Sequence, residues 1–595
     1  MAENYKSNSE ISSKSIAVLP FVNMSPDPEN DYFSDGITEE IINALTKINN
    51  LKVISRTSAF SFKGKNIDIR DIGNQLNVST VLEGSVRKYN GKVRITAQLI
   101  NINDGSHLWS HSFDRNLEDI FKVQDEISLL IADKIRENFG HLEIQDHLVK
   151  ESTQSFTAYE YFLKGRFNQL KWDAPSIKQA IEYYNSAIEI DPNFARAYYG
   201  NMQSFGLLAA WGYMDQDEGF QKAILNFQKA KEIDTQLPEY YLSFVGKYFW
   251  GEWNFKATYE QTKEALEINP NYSDALEAMT ELFISHGFFE EATKYVKIAL
   301  ETDPLSANHN YTFANINYKQ KKYSEAIVLL NKAIQINPDL ILAKELKAMC
   351  LIRLKEKVDF EKLLDELTQP NLFKLLYEVI NNNKEIDKNL LNDWENVVEN
   401  KNQLIPLELY ILANSNYKNE AISLLKKYIH AKRGQIMNYR VEPFLEPLRE
   451  YEEFDSLYKS NLNYEDISEL KEKETTSKFS HDEITNLKNE LINYLEEEKP
   501  FLNPHLALNE LASLINIHPN KLSFIINEQT GKNFNEFINS FRLKHFKKIA
   551  SEEEFKNMTI LGLAYESGFN SKSVFHTYFK KAEGITPSNW IKSLR

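Results

Sequence analysis

Few residues in this chain of 595 are of a type and spacing suited to covalent chemistry. The single cysteine, Cys350, excludes an intrachain disulfide and any multi-cysteine zinc or iron–sulfur site, and it suits a reducing compartment. The sequence has no Walker-type phosphate loop, no His-Glu-x-x-His pair, no Gly-x-Ser-x-Gly elbow and no dinucleotide fingerprint. The acids from Asp31 to Glu40 read as charges at a helix start, where the helix dipole favours them. No catalytic, metal-ligating or cofactor-binding residue is assigned. What the chain offers instead is hydrogen-bonding chemistry near its end, in LAYESGFNSKSVFHTYFKKAEGITP, Leu563 to Pro587. Gly568 supplies the backbone freedom for a tight turn. Asn570 and Ser571 are both N-cap types for the helix that follows, which turns Phe575, Tyr578, Phe579 and Ala582 to one side. Lys572, Ser573, His576, Thr577 and Lys580 are left for the other side. Small and hydrogen-bonding side chains on such a helix are the make-up of a helix-turn-helix recognition helix, although an ordinary helical hairpin shares the pattern.

The elements expected to position that helix lie just upstream. Leu508 to Ile515 reads as a supporting helix, with Leu508, Leu511, Ala512 and Ile515 on one face. Asn516-Ile517-His518 makes a turn, and Pro519 opens a helix where its missing amide does no harm. Leu522, Ile525 and Ile526 point inward there. Asn520, Lys521, Ser523, Phe524 and Asn527 are left facing outward, and Gly531 ends the helix. A helix from Phe534 to Ala550 would span about 25 Å at its 1.5 Å rise per residue. It would place two reading helices in successive major grooves, about 34 Å apart. Arg542, Lys544, Lys547 and Lys548 on it read equally as phosphate contacts or as a solvated face. Trp590 is expected to cap the core.

Ala564, Gly568-Phe569, Ser573, Phe575, Phe579-Lys580-Lys581, Gly584 and Thr586-Pro587 follow one another in an order that resembles AraC/XylS-type transcription regulators. The resemblance implies an all-α C-terminal domain with two helix-turn-helix units and double-stranded DNA as partner. This chain departs from it at Phe524 and Thr577, where such helices often carry arginine. A bidentate guanine contact is therefore not expected at those points. Thymine-methyl contact by Phe524 and hydrogen bonds from Asn520, Asn527 or Thr577 are the alternatives.

The rest of the chain divides in two. Residues 1–150 read as an α/β domain. Ser15 to Phe21 and Leu51 to Ser55 are strands, Ile37 to Lys47 and Ile69 to Leu76 helices. Thr80 to Tyr89 and Lys92 to Asn101 flank the hairpin signal Asn90-Gly91. His107 to Asp114 follows, then a helix from Leu117 to Phe139. Its segments AVLPF, FSDGITEEI, VISRTSAF and DGSHLWSHSFDR resemble TolB- or FlgO-like N-terminal domains, which often precede tetratricopeptide repeats; some such chains are labelled adenylate cyclases. Residues 151–460 form an all-α array. Ala265, Ala299 and Ala333 recur at the tetratricopeptide interval, with Ala187 and Ala230 upstream and Ala223, Ala292 and Ala326 on the same helix faces. Pro192, Pro270, Pro304 and Pro338 stop the second helix of each repeat. Val441 to Tyr458 resembles a closing segment. Residues 461–480 read as a linker and 481–595 as the DNA-binding domain. Such a solenoid either buries only its own core or offers a surface to a protein or peptide partner.

Net charge is −16, yet from Phe501 onward about 12 basic side chains face about 8 acidic ones. The acidic balance therefore belongs to the body of the chain. MAENYKSNSE has no signal-peptide pattern, and no apolar run approaches a membrane span, so a cytoplasmic protein is expected. A sequence-specific transcription regulator fits these observations best. A tetratricopeptide scaffold and an adenylate-cyclase-like enzyme are the alternatives. Oligomeric state is left open.

Overall fold

The computed structural model describes residues 14–387 and 405–594, apart from 172, 211–212, 236, 458–459, 464–466, 468–480 and 556. The signal-peptide reading at residues 1–10 and most of the linker read at 461–480 concern residues outside these. No described helix is long and apolar enough to cross a membrane.

The N-terminal domain is a mixed sheet covered by helices. Strand β1 (Ser15–Val18) lies parallel to β3 (Lys52–Val53) on one side and to β4 (Thr80–Tyr89) on the other, with β2 (Val22–Asn23) also on β4. β5 (Lys92–Asn101) and β6 (His107–Asn116) extend the sheet antiparallel, giving the order β3-β1-β4-β5-β6. The β4–β5 hairpin turns at Asn90 and Gly91, both at positive φ. Alternation in β5 buries Val93, Ile95, Ala97 and Leu99. Helix α1 (Asp31–Leu45) begins earlier than its apolar pattern indicates, so Asp31 to Gly36 is helix rather than loop. Helices α2 (Arg56–Phe60), α3 (Ile69–Leu76) and α4 (Ile120–Phe139) complete the domain.

From Phe156–Gln169 onward the chain is a helical solenoid. Its regularity has a local cause. Ala187, Ala230, Ala265, Ala299 and Ala333 have no exposed surface, which lets neighbouring helices approach closely. The carbonyl of each accepts the N–H of the residue that caps its helix: Asp191, Asp234, Asn269, Asp303 and Asn337. Proline follows four of these caps, at 192, 270, 304 and 338, and cannot continue the ladder. The closing segment is a run of short 3-10 turns. It buries Phe444, Leu445 and Leu448, and it carries Glu442 into the solenoid, where Tyr318 Oη and Lys319 Nζ donate to it. Leu462 and Ile467, placed by sequence in the linker, pack into this same core.

The acids of α1 have a different role from the one their order suggested. Only Asp31 stands in the first turn, while Asp35, Glu39 and Glu40 are buried. Lys63 Nζ reaches Asp35 at 2.7 Å. Glu39 takes Arg56 at 3.2 Å and Arg166 at 2.9 Å, and Glu40 takes Arg196 at 2.8 Å. Burial pushes the Glu39 carboxyl up, but Arg166 and Arg56 outweigh that and hold it below its ordinary value. Because Arg166 and Arg196 belong to the repeats, these pairs fasten the α/β domain to the solenoid. The apolar core is likewise continuous across the junction, from Phe33 and Ile41 to Tyr159, Phe162 and Tyr184. Farther along, Ser55 N donates to Thr302 O at 2.7 Å and Leu305 N to Ser58 Oγ at 3.0 Å.

Candidate nucleic-acid interface

The C-terminal domain holds two helix-turn-helix units joined by one rigid helix. In the first, the support helix Leu508–Leu514 is followed by Asn516 at φ 54° and then by the reading helix Pro519–Thr530. His518 caps that helix by accepting from Asn520 N. Gly531, at φ 63°, closes it. The connecting helix Phe534–Ala550 starts in a capping box between Asn533 and Glu536. The second unit is the support helix Ile560–Glu566 and the reading helix Lys572–Glu583, which Ser571 caps by accepting from Val574 N at 3.2 Å. Of the two candidate caps, Ser571 is the one used.

The turn of the second unit is built around Gly568. Its φ is +87°, and a Cβ there would stand 2.3 Å from Phe501 O. Gly568 N donates to Tyr565 O and Phe569 N to Ala564 O, closing the helix and tucking Phe569 into the core. Phe546, Phe575, Phe579 and Trp590 cluster beneath in tilted and edge-to-face contacts, with Phe546–Phe575 ring centroids 4.8 Å apart and Phe579–Trp590 5.8 Å apart. The second reading helix is also tied to the start of the connecting helix: Tyr578 Oη donates to Glu536 O at 3.0 Å and Lys581 Nζ to Glu536 Oε1 at 2.5 Å. Glu536 thereby joins the aromatic cluster in holding the second reading helix to the connecting helix.

The predicted contact residues fall into two groups. On the second reading helix Lys572, Ser573, Thr577 and Lys580 are exposed, and among the described residues no ion pair engages Lys572 or Lys580. His576 is half-buried beside Phe575. On the first reading helix the picture differs. Asn520, Lys521, Phe524 and Asn527 are half-buried and Ser523, expected to face outward, is only 5% exposed. Part of that cover comes from the N-terminal domain. Arg136 and Ile144 hold the Asn520 carboxamide, and the ring of His141 meets Phe524 edge-on at 5.6 Å.

The basic cluster on the connecting helix divides by burial and pairing. Arg542 is buried and donates through Nε to Phe501 O and through Nη2 to Asn503 O, each at 2.8 Å. Lys544 pairs with Glu496 and Lys547 with Glu583, leaving exposed Lys548 as the member suited to phosphate. Lys581 and Tyr578, read only as part of a motif and a core, turn out to reach Glu536 on the connecting helix. Arg136 and Asn138 gave no sequence signal, because polar side chains in the last turn of a helix look solvated.

Comparison with known proteins agrees with this geometry. Residues 511–593 match the family model of a helix-turn-helix domain, and residues 12–130 that of the second domain of HilA/YgeH-like transcriptional regulators. The description matched at the N-terminus is HilA-like, and it leaves the TolB- or FlgO-like resemblance untested. Residues 176–194 match a tetratricopeptide repeat model, and 285–367 the model of subunit 3 of the anaphase-promoting complex. A Rhizobium meliloti protein named "Putative adenylate cyclase 3" is 40% identical over 232 residues, 38% of this chain and 38% of its own length. The Bacillus subtilis HTH-type transcriptional regulator YtdP is 26% identical over 159 residues, 24% of this chain and 20% of its own. The TCP pilus virulence regulatory protein of Vibrio cholerae is 39% identical over 64 residues, 11% of this chain and 22% of its own. The chain therefore spans well under half the length of each of these curated relatives. A solved structure of Pseudomonas aeruginosa pilF superposes on 38% of this chain and 98% of its own at 16% identity, with a TM-score of 0.31, a likeness too loose to carry weight. The chain joins a HilA-like N-terminal region and tetratricopeptide repeats to a C-terminal helix-turn-helix domain of the AraC type.

Proposed function

We infer that this chain is a sequence-specific transcription regulator that binds duplex DNA through both helix-turn-helix units, with the solenoid and N-terminal domain receiving a protein or peptide signal. The observation that carries the reading is the open face of the second reading helix. Lys572, Ser573, Thr577 and Lys580 stand exposed on a helix whose opposite face is locked by Phe575 and Phe579. A rigid helix with a free polar face is what major-groove reading requires. Ser573 and Thr577 would read base edges, while Lys572 and Lys580 would meet phosphate. Selection of genomic DNA fragments by the full chain tests this, since the second unit is open to solvent. A shared sequence should be enriched, and Lys580→Ala should weaken binding to all fragments and lower the salt slope by about one. Recovery of no preferred sequence would refute the reading.

The name carried by the Rhizobium relative supplies the second reading, nucleotide cyclisation. Against it, the acids that follow one another along α1 are engaged elsewhere: Asp35 with Lys63, Glu39 with Arg56 and Arg166, Glu40 with Arg196. Incubation with ATP and magnesium, followed by chromatography for cyclic AMP, decides between them; product formation would favour the enzyme.

A further inference from the structure

The N-terminal domain and the first helix-turn-helix unit meet over a surface that is almost wholly polar. Its centre is Arg136, in the last turn of α4 and 3% exposed. One guanidinium nitrogen donates to Asn520 Oδ1 at 2.5 Å, and another donates to Asn509 Oδ1 at 3.1 Å and to Asp133. Asn520 is further held by the backbone of Ile144, accepting from its N–H at 3.2 Å and donating to its carbonyl at 2.9 Å. Glu137 accepts from Leu508 N at 3.0 Å, and Asp133 from Asn509 Nδ2 at 2.6 Å. Asn138 takes Asn533 through its carbonyl at 2.7 Å and Asn535 through its side chain at 2.9 Å. Gly140, at φ +105°, brings its backbone so near Asn527 that a Cβ there would stand 3.2 Å from Nδ2. His141 lies against Phe524.

Asn520, Phe524 and Asn527, three residues of the reading face, are therefore in contact with the N-terminal domain. A major groove about 12 Å wide admits a helix only when that face is bare. The end of α4 and a duplex cannot occupy it together. We propose that this docked arrangement is an autoinhibited state, in which the N-terminal domain masks the first reading helix while leaving the second open, and that full DNA engagement requires the two to separate. The proposal rests on the DNA-binding reading above. Hydrogen bonds between amides and charged groups, rather than a shared apolar core, hold the two domains. Such groups exchange readily for water, as in interfaces that open and close. The same domain is fastened to the repeats through Glu39 and Glu40, so a partner on the solenoid has a direct route to this contact.

A chain whose competent form is a minor fraction binds more weakly by that fraction. Replacing Arg136 and Asn138 by alanine removes docking contacts and leaves every DNA-reading residue itself unchanged. It should tighten binding to the selected site about tenfold or more and extend protection from one major-groove segment to two. The opposing experiment joins the domains: N138C/N535C, bridged by a short bismaleimide, should bind through the second unit only and protect one segment. Cys350 is buried, with its thiol pushed up by burial, so it does not compete for the reagent. Equal affinity and footprint for the wild-type chain and the R136A/N138A chain, or two protected segments with the bridged chain, would overturn the proposal. Failure of every form to select any sequence would instead overturn the DNA-binding reading.

Discussion

Gly568→Ala should uncouple the second helix-turn-helix unit from the segment beneath it. The alanine Cβ would stand 2.3 Å from Phe501 O and 2.8 Å from Leu502 Cα, both backbone atoms that cannot rotate away. Relief to ordinary contact, which begins at 3.4 Å, demands a backbone retreat of about 1.1 Å. Phe501 O is also the acceptor for Arg542 Nε at 2.8 Å, so the retreat disturbs a buried, charge-assisted bond. Left-handed backbone costs a non-glycine residue about 1 kcal/mol. Loss of the guanidinium bond adds roughly 2 kcal/mol. The total, about 3 kcal/mol, is about a hundredfold in a local opening equilibrium. Gly584→Ala is the internal control. Its φ of +73° carries the same strain, but nothing lies within 4 Å of the added carbon, so about 1 kcal/mol, or fivefold, is expected. Amide hydrogen exchange of the full chain, read by mass spectrometry over residues 560–583, separates the two. Losses of protection that agree within about threefold would show that the close approach to Phe501 contributes nothing beyond backbone strain.

Three further outcomes follow from particular contacts. Lys319→Met strands the Glu442 carboxylate, 3% exposed, in the solenoid core and should cost about 3–5 kcal/mol, read as a lower urea midpoint. Lys321→Met, at the half-exposed pair with Glu446, should cost under about 1 kcal/mol; equal losses would contradict the account. Ser571→Ala removes the N-cap of the second reading helix and should cost about 1 kcal/mol, seen as faster exchange of the amides at 572–575 with the rest of the domain unaltered. Burial, followed by repulsion from Lys14 and Arg136, pushes His141 down to about 4 from an ordinary 6.5. The docked state thus favours neutral imidazole, so its contribution is complete above about pH 6.5 and drains away as the pH falls through about 4. Histidine C2–H exchange across that range measures the value directly, and titration near 6.5 in the intact chain would refute it.

Local signals served well wherever the chain's own backbone chemistry sets the structure. Asn90-Gly91 defined the β4–β5 hairpin, and the alanine–cap–proline pattern defined where the repeat helices pack and stop. Gly568, Phe569, Phe575 and Phe579 announced the second helix-turn-helix unit, because turn conformation and core spacing are written in residue type. Readings that depended on a distant partner fared differently. Arg542 read as a phosphate contact or a solvated side chain and is a buried brace, since its acceptors, Phe501 and Asn503, lie some forty residues away along the chain. Asp35, Glu39 and Glu40 looked like helix-start charges, and their counterions come from α2, the loop after it and the solenoid.

Sequence alone thus determined the kind of protein this is: the α/β domain, the repeats and the two reading helices, each specified by short-range periodicity, caps and turns. Tertiary structure decided which of those reading surfaces is available. Asn520, Phe524 and Asn527 have the same residue types whether bare or covered, and only the packing of α4 against them, nearly four hundred residues away in the chain, leaves the second helix open and the first one masked. Burial depends on the three-dimensional neighbour, and no pattern within a single helix encodes a neighbour supplied by another domain.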